Sequence, residues 1–176
     1  EASLYRRAIL EENFSDLRSR HDAFESAARA GEIHVTTPAG TDIRFRIGER
    51  PINRQDGDVS GARAAAGAIL IDREIEFPAG GVRVAPIEAS VHGIVVFPRS
   101  TWNGEEVDDL QFVFEAGTIV ALTAAANLES VEVELAADGA RAFREFGLGF
   151  NPLLAVPAEN PWLPYFGYGA GVVRLS

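Results

Sequence analysis

The chain has 176 residues, of which 47% are hydrophobic and 24% are charged, which is typical of one globular domain and unlike a disordered or collagen-like chain. Its formal net charge of -10 argues against a nucleic-acid partner, because phosphates would be repelled over most of the surface. Cysteine is absent and all basic residues are arginine, which excludes disulfides, thiolate metal sites and lysine Schiff bases. No apolar run is long enough to cross a bilayer, so we expect a soluble protein with no membrane partner.

The first thirty residues predict an amphipathic helix. Apolar side chains recur there at mostly helical spacing among many charges, with a break expected near residues 13–15 and a stop at Gly31. We therefore predict a leading helical segment over residues 1–30 and a second region over residues 31–176.

The second region is rich in predicted strands. Residues 34–37 and the alternating residues 43–47 predict a hairpin around the turn at 38–40. Residues 50–66 hold turn formers without periodicity and predict a surface loop. Further strands are predicted where short apolar stretches lie between turn signals, at 68–77, 82–85, 90–97, 110–114, 119–123 and 171–175.

One insertion interrupts these strands. Asn127 is a typical N-cap residue, and Leu128, Val131 and Leu135 follow on one helical face, although the Val-Glu-Val-Glu-Leu core also fits a strand. We predict a short inserted helix. The fold class is therefore α+β and sheet-rich, largely antiparallel because most connections are too short for crossover helices.

Several common catalytic patterns find no support. His21, His34 and His92 are too scattered for a helical zinc motif, and partnered structural histidines are the preferred interpretation. No Gly-x-Ser-x-Gly motif supports a hydrolase triad. The Asp-Gly-Asp run at 56–58 favours a solvent turn over a cation loop, and the acidic run at 105–109 favours a solvated loop.

Two neighbouring segments are more informative. Glu145 stands among apolar residues before a Gly-x-Gly-x-Asn-Pro run, where the backbone must pass close to something bulky and the carboxylate needs an arginine or a metal as its partner. Trp162, Tyr165 and Tyr168 lie in an aromatic stretch that either lines a substrate pocket or forms a loop covering the core.

An ordered series of motifs resembles the C-terminal, metal-binding domain of the thermophilic-type metallo-aminopeptidases, the aminopeptidase T and aminopeptidase S group. The resemblance covers residues 33–176, and its motifs are Pro-Ala-Gly-Thr-Asp-Ile-x-Phe at 38–45, Phe-Pro-Ala-Gly at 77–80, Gly-x-Val-Val-Phe at 93–97, Phe-Glu-x-Gly-x-Ile-Val at 114–120 and Glu-x-Gly-x-Gly-x-Asn-Pro at 145–152. The resemblance implies a homodimer and two divalent ions. Dihydroxypyridine dioxygenases with one iron share this fold.

The resemblance assigns the family's metal-site positions to particular residues of this chain. Glu145 occupies the second glutamate position of the metal site, whereas the first glutamate position falls on Gly81 and a histidine position falls on Arg174. The last pair, His-x-Asp, would lie beyond Ser176. Glycine offers no side-chain ligand and a guanidinium is a cationic donor, so the resemblance implies a divergent metal site.

The leading hypothesis is therefore a metallo-aminopeptidase-like hydrolase domain in the cytoplasm, with Glu145 as metal ligand and with Glu145 and Arg174 as catalytic residues. Its metal would be zinc, cobalt or manganese, or none in this chain, and its substrate a peptide or a small molecule. One alternative is a metal-free domain for an anionic small molecule, in which Arg174 binds a carboxylate or pairs with Glu145. The other is a non-catalytic structural or assembly domain.

Overall fold

The computed structural model describes residues 2–67, 75–154 and 168–176. Within these ranges the chain forms four α-helices and nine strands. In chain order they are α1 (Ala2–Leu10), α2 (Phe14–Ala30), β1 (Ile33–Thr36), β2 (Asp42–Phe45), β3 (Ile52–Gln55), α3 (Gly61–Ala66), β4 (Gly81–Val84), β5 (His92–Trp102), β6 (Glu105–Glu115), β7 (Thr118–Thr123), α4 (Leu128–Glu134), β8 (Phe146–Gly149) and β9 (Val173–Leu175). None of these described helices is long and apolar enough to span a membrane.

The chain divides into two compact units. The first unit comprises Glu1–Ala27, Pro51–Ala85 and Glu145–Ser176, and the second comprises Ala28–Arg50 and Pro86–Arg144. The predicted boundary after residue 30 stays a prediction.

Each unit contains one antiparallel sheet. The sheet of the first unit has the order β3-β4-β8-β9, and that of the second has the order β1-β2-β5-β6-β7. The second unit buries apolar side chains from alternate strand positions, such as Ile43, Phe45, Leu110 and Phe112. The α+β, largely antiparallel fold class is thus confirmed.

The predicted helices are present. The leading helix breaks after α1, because Asn13 accepts a hydrogen bond from the Asp16 backbone N–H at 3.2 Å and so begins α2. The inserted segment is the helix α4, with Val131 and Leu135 buried. Asn127 precedes it but does not cap it, since its backbone is left-handed and its amide donates to the Glu106 carbonyl at 2.9 Å.

The predicted loop at 50–66 is wrong. It contains β3 and α3, because β3 pairs with β4 and because Ser60 caps an alanine-rich turn by accepting from the Arg63 backbone at 3.2 Å. Asp56, expected in solvent, is buried and pairs with Arg63 at 2.8 Å. Alanine propensity and the cap were sequence signals that the prediction overlooked.

The predicted loop at 105–109 is also wrong. These acidic residues belong to β6, where the neighbouring strand supplies Arg99 at 3.1 Å from Glu106 and 3.4 Å from Asp108. The cross-strand cation makes the extended conformation compatible with the acidic sequence. The strand predicted at 68–77 lies mostly outside the described residues, and its described end, 75–77, is not a strand.

Candidate functional site

The sheet of the first unit carries an unusual face. The strand register places Gly81 beside Gly149, Arg83 beside Gly147, and Gly147 beside Arg174. Opposed residues of antiparallel strands project to the same side, as do residues two apart on one strand. These five residues therefore share one side of the sheet, which we call the glycine face.

The opposite side of this sheet is apolar and packs against α2. Val82 and Phe146 are buried there, and the ring of Phe146 stacks on Phe24 with the ring centroids 6.2 Å apart. Arg54 of the edge strand reaches the same helix through Asp22, at 2.7 Å. Burial of this side determines the strand register, so it also determines which side chains belong to the glycine face.

Tyr168 lies directly on Gly81. A Cβ atom at Gly81 would come within 3.0 Å of the Cγ of Tyr168 and would overlap the next two ring atoms. The phenol donates a hydrogen bond to Glu76, and the second carboxylate oxygen of Glu76 accepts from Arg83 at 2.7 Å. The aromatic ring thus fills the space that a side chain at position 81 would need.

The charge state of Tyr168 follows from this environment. Burial raises the pKa of Tyr168 above its usual value, and the hydrogen bond to Glu76 raises this pKa further. Arg83 and Arg174 act on the same pKa in the opposite direction, but they do not outweigh burial. The phenol is therefore neutral at pH 7 and serves as a donor, not as a general base.

Two arginine side chains meet over Gly147. A Cβ atom at Gly147 would lie 3.5 Å from the Cβ of Arg174 and 3.8 Å from the Cγ of Arg83. These are ordinary contact distances, and the stems of the two arginines lie beside position 147 because both residues are its cross-strand neighbours. The result is a pair of arginine side chains that begin on either side of Gly147 on the glycine face.

The Gly-x-Gly-x-Asn run fixes the backbone beside this cluster. A Cβ atom at Gly149 would lie 2.6 Å from the carbonyl carbon of Tyr168, so only glycine permits the approach. Asn151 is fully buried, donates from its amide to the Ala79 carbonyl at 2.8 Å and accepts from the Leu153 backbone at 2.9 Å. The close passage predicted for this run is confirmed, and the bulk that it meets is the backbone of residues 168 and 169.

Glu145 and Arg174 are not joined by an ion pair in the part of the chain that the structure describes. The backbone of Glu145 exchanges two hydrogen bonds with Ser176, at 2.9 and 3.0 Å, which places Glu145 on the glycine face beside Arg174. Glu145 is half-buried and Arg174 is exposed. Since Arg174 is solvated, the burial that would have required such a pair is absent.

Sequence reasoning missed Glu76 and Arg83. Arg83 alternates with Val82 and Val84, a pattern that identifies it as facing away from the apolar side of a strand. No comparable signal marks Glu76, which meets Tyr168 only through the fold. The predicted pocket residues Trp162 and Tyr165 lie outside the described residues.

The histidines follow the prediction in two cases. The Nε2 of His34 is 2.8 Å from Asp42, and the Nδ1 of His92 is 2.9 Å from the Ser90 carbonyl. His21 is completely buried, and neither of its ring nitrogens makes a well-formed hydrogen bond to a described residue, although the Gly80 backbone favours the protonated form. For His21 the expected partner stays a prediction.

The residues present do not fit the two-metal site that the resemblance implies. Across residues 2–67, 75–154 and 168–176, no group of three or more histidine, aspartate or glutamate side chains could hold a metal ion. Gly81 lacks a ligand atom, its space is taken by Tyr168, and Arg174 would repel a cation. Glu145 is the one implied ligand that these residues supply.

A match to a family model identifies this antiparallel α+β chain as a peptidase-like domain. Residues 10–153 match the family model described as thermophilic metalloprotease (M29), and the chain belongs to this family. The resemblance read from the motifs is thus confirmed. None of the curated proteins compared with the chain matches it.

Two solved structures are similar in fold. Wild-type AmpT from Thermus thermophilus has a TM-score of 0.61 and 23% identity, over 97% of this chain and 43% of that chain. The 2,5-dihydroxypyridine dioxygenase from Pseudomonas putida KT2440 has a TM-score of 0.61 and 18% identity, over 88% of this chain and 44% of that chain. The chain therefore spans less than half the length of either protein, and at these identities the likeness concerns the fold.

Proposed function

We propose that this chain is a metal-independent, peptide-binding domain of a peptidase family, and that the peptide binds on the glycine face. One observation carries the proposal: Gly81, Glu145 and Arg174, the positions that the resemblance assigns to the family's metal site, all belong to this face. At these positions Gly81 offers no side chain, Glu145 keeps a carboxylate, and Arg174 presents a cation where the resemblance implies a ligand. Trp162, Tyr165 and Tyr168 remain the proposed lining of the same site.

Metal-dependent aminopeptidase activity is the second candidate, and the family match together with Glu145 favours it. Two divalent ions would supply carbonyl polarisation and an activated water. Because the described residues do not fit that metal pair, we derive no catalytic step through it. Metal-dependent turnover of aminoacyl substrates by the chain, with zinc, cobalt or manganese, would favour this candidate over the first.

Binding is tested by titrating the isotope-labelled chain with short peptides, free or amidated at the C-terminus, in the presence of a chelator. We expect amide resonances of Arg83, Gly147 and Arg174 to shift in nuclear magnetic resonance spectra. If no peptide of either kind shifts any resonance, the proposed function is wrong.

A matched pair of variants locates the site. Gly147→Val would push the two arginine stems apart and should abolish peptide binding. Gly61→Val is the control, because a Cβ atom at Gly61 meets nothing within 4 Å and the backbone there is ordinary helix. Equal binding by both variants would place the peptide elsewhere.

The homodimer implied by the resemblance is also part of this proposal, and sedimentation equilibrium of the chain tests it. Cytoplasmic localisation stays a prediction.

A further inference from the structure

We infer that the glycine face recognises the free C-terminal carboxylate of the peptide, held between Arg83 and Arg174. This inference rests on the proposed function and names the chemical group that the site selects. It adds Arg83 to Arg174 as a second specificity-determining residue.

The first support is the convergence of the two cations. Both side chains lie beside Gly147, with stem atoms 3.5 and 3.8 Å from the position that a Cβ atom would take there. The strand register places Arg83 and Arg174 on the two sides of Gly147, so both cations belong to one small part of the glycine face. Each guanidinium group can donate to an anion, and Glu145 competes with that anion for Arg174.

The second support is that Arg83 has an ion-pair partner on the protein and Arg174 has none among the described residues. Arg83 is held by Glu76 at 2.7 Å, which fixes the orientation of its guanidinium group while a quarter of the side chain, 25%, stays exposed. Arg174 is exposed and makes no ion pair with any residue that the structure describes. Arg83 therefore loses little side-chain entropy when an anion binds, whereas Arg174 offers donors that no described residue uses in an ion pair.

The third support is geometric. A carboxylate has two oxygens in one plane and can accept from two planar guanidinium groups at once. The phenol of Tyr168 is already committed to Glu76, so the two arginines carry the recognition. Glu145, on the same face beside Arg174, disfavours negative charge at the site, and it disfavours a doubly charged group more than a singly charged carboxylate.

The inference is tested by calorimetric titration with trialanine and with trialanine amide, which differ in the carboxylate alone. We expect the amide to bind at least tenfold more weakly, because a charge-assisted hydrogen bond contributes roughly a factor of ten to a hundred. Equal affinity of the acid and the amide would overturn the inference while leaving the proposed function intact. Failure of both peptides to bind would instead contradict the proposed function.

Substitutions of single arginines test which residue binds the carboxylate. Arg174→Gln should reduce the affinity for trialanine about tenfold and leave that for the amide unchanged. Arg99→Gln, at an exposed arginine of the second unit, is the control, because it removes the same single positive charge. It should change neither affinity.

A third variant changes the site in the opposite direction. Glu145→Gln removes the competing negative charge and should strengthen trialanine binding several-fold, an effect that added salt reduces. If Arg174→Gln leaves the discrimination between acid and amide unchanged in a folded protein, the assignment to Arg174 fails.

Discussion

The ring of Tyr168 occupies the space that a side chain at Gly81 would take. The contact brings together strand β4 and a distant segment of the chain. The phenol of Tyr168 also donates a hydrogen bond to Glu76, which lies just before β4. In the family resemblance, position 81 is a metal ligand. Glycine supplies no ligand atom at this position, and the ring of Tyr168 occupies the space that a ligating side chain would need.

Gly81→Ala should destabilise the chain by about 1–3 kcal/mol, because the added methyl group overlaps the ring of Tyr168. Chemical denaturation measures the loss. Tyr168→Ala should relieve the overlap, so the double variant should be more stable than the sum of the single losses predicts. Strict additivity of the two losses would contradict the contact.

Asn151→Ala should cost about 2–3 kcal/mol, because the fully buried amide loses its bonds to Ala79 and Leu153 and leaves buried backbone groups unsatisfied. Thermal unfolding measures this change. The comparison variant is Asn53→Ala, because Asn53 is half-buried and its side chain accepts a hydrogen bond from Gln55 at 2.8 Å. We expect Asn151→Ala to be the more harmful variant of the two, and the reverse order would contradict this account.

Stability should fall on acidification because of His21. Burial, and next the charge of Arg54, lower the pKa of His21 from 6.5 to about 4. Between these two pH values the unfolded state binds a proton that the folded state does not, so His21 makes stability decrease as the pH falls through this window. The slope for one such group is about 1.4 kcal/mol per pH unit.

Urea denaturation between pH 7 and pH 4 measures this slope, and His21→Phe should flatten it. The raised pKa of the buried Glu12 works in the opposite direction, so the difference between wild type and variant isolates His21. His92→Gln, at an exposed histidine, is the control. The same pH dependence in wild type and His21→Phe would show that His21 is not responsible.

Asp56→Ala should destabilise the chain by about 3 kcal/mol, because it leaves Arg63 largely buried without its partner at 2.8 Å. Asp108→Ala, at a solvent-exposed ion pair with Arg99, should have little effect. Thermal unfolding compares the two variants. Similar losses in both would mean that Asp56 contributes no more than a surface charge.

Local patterns in the sequence determined much of the fold. The alternation at 43–47 predicted β2, the helical spacing before Gly31 predicted α1 and α2, and the face shared by Val131 and Leu135 predicted α4. These elements are readable because one side of each is buried, and burial imposes the period of 2.0 or 3.6 on the residues themselves. The motif order also identified the family.

Only the tertiary structure decided the composition of the site. β3 lacks its own alternation and exists because β4 pairs with it, while the meeting of Arg83 and Arg174 over Gly147 depends on the register of three strands. The seating of Tyr168 on Gly81 likewise joins segments that are far apart in the chain. Such contacts have no period along the sequence, because they arise from burial on the opposite side of the sheet, which determines the strand register and hence which side chains become neighbours.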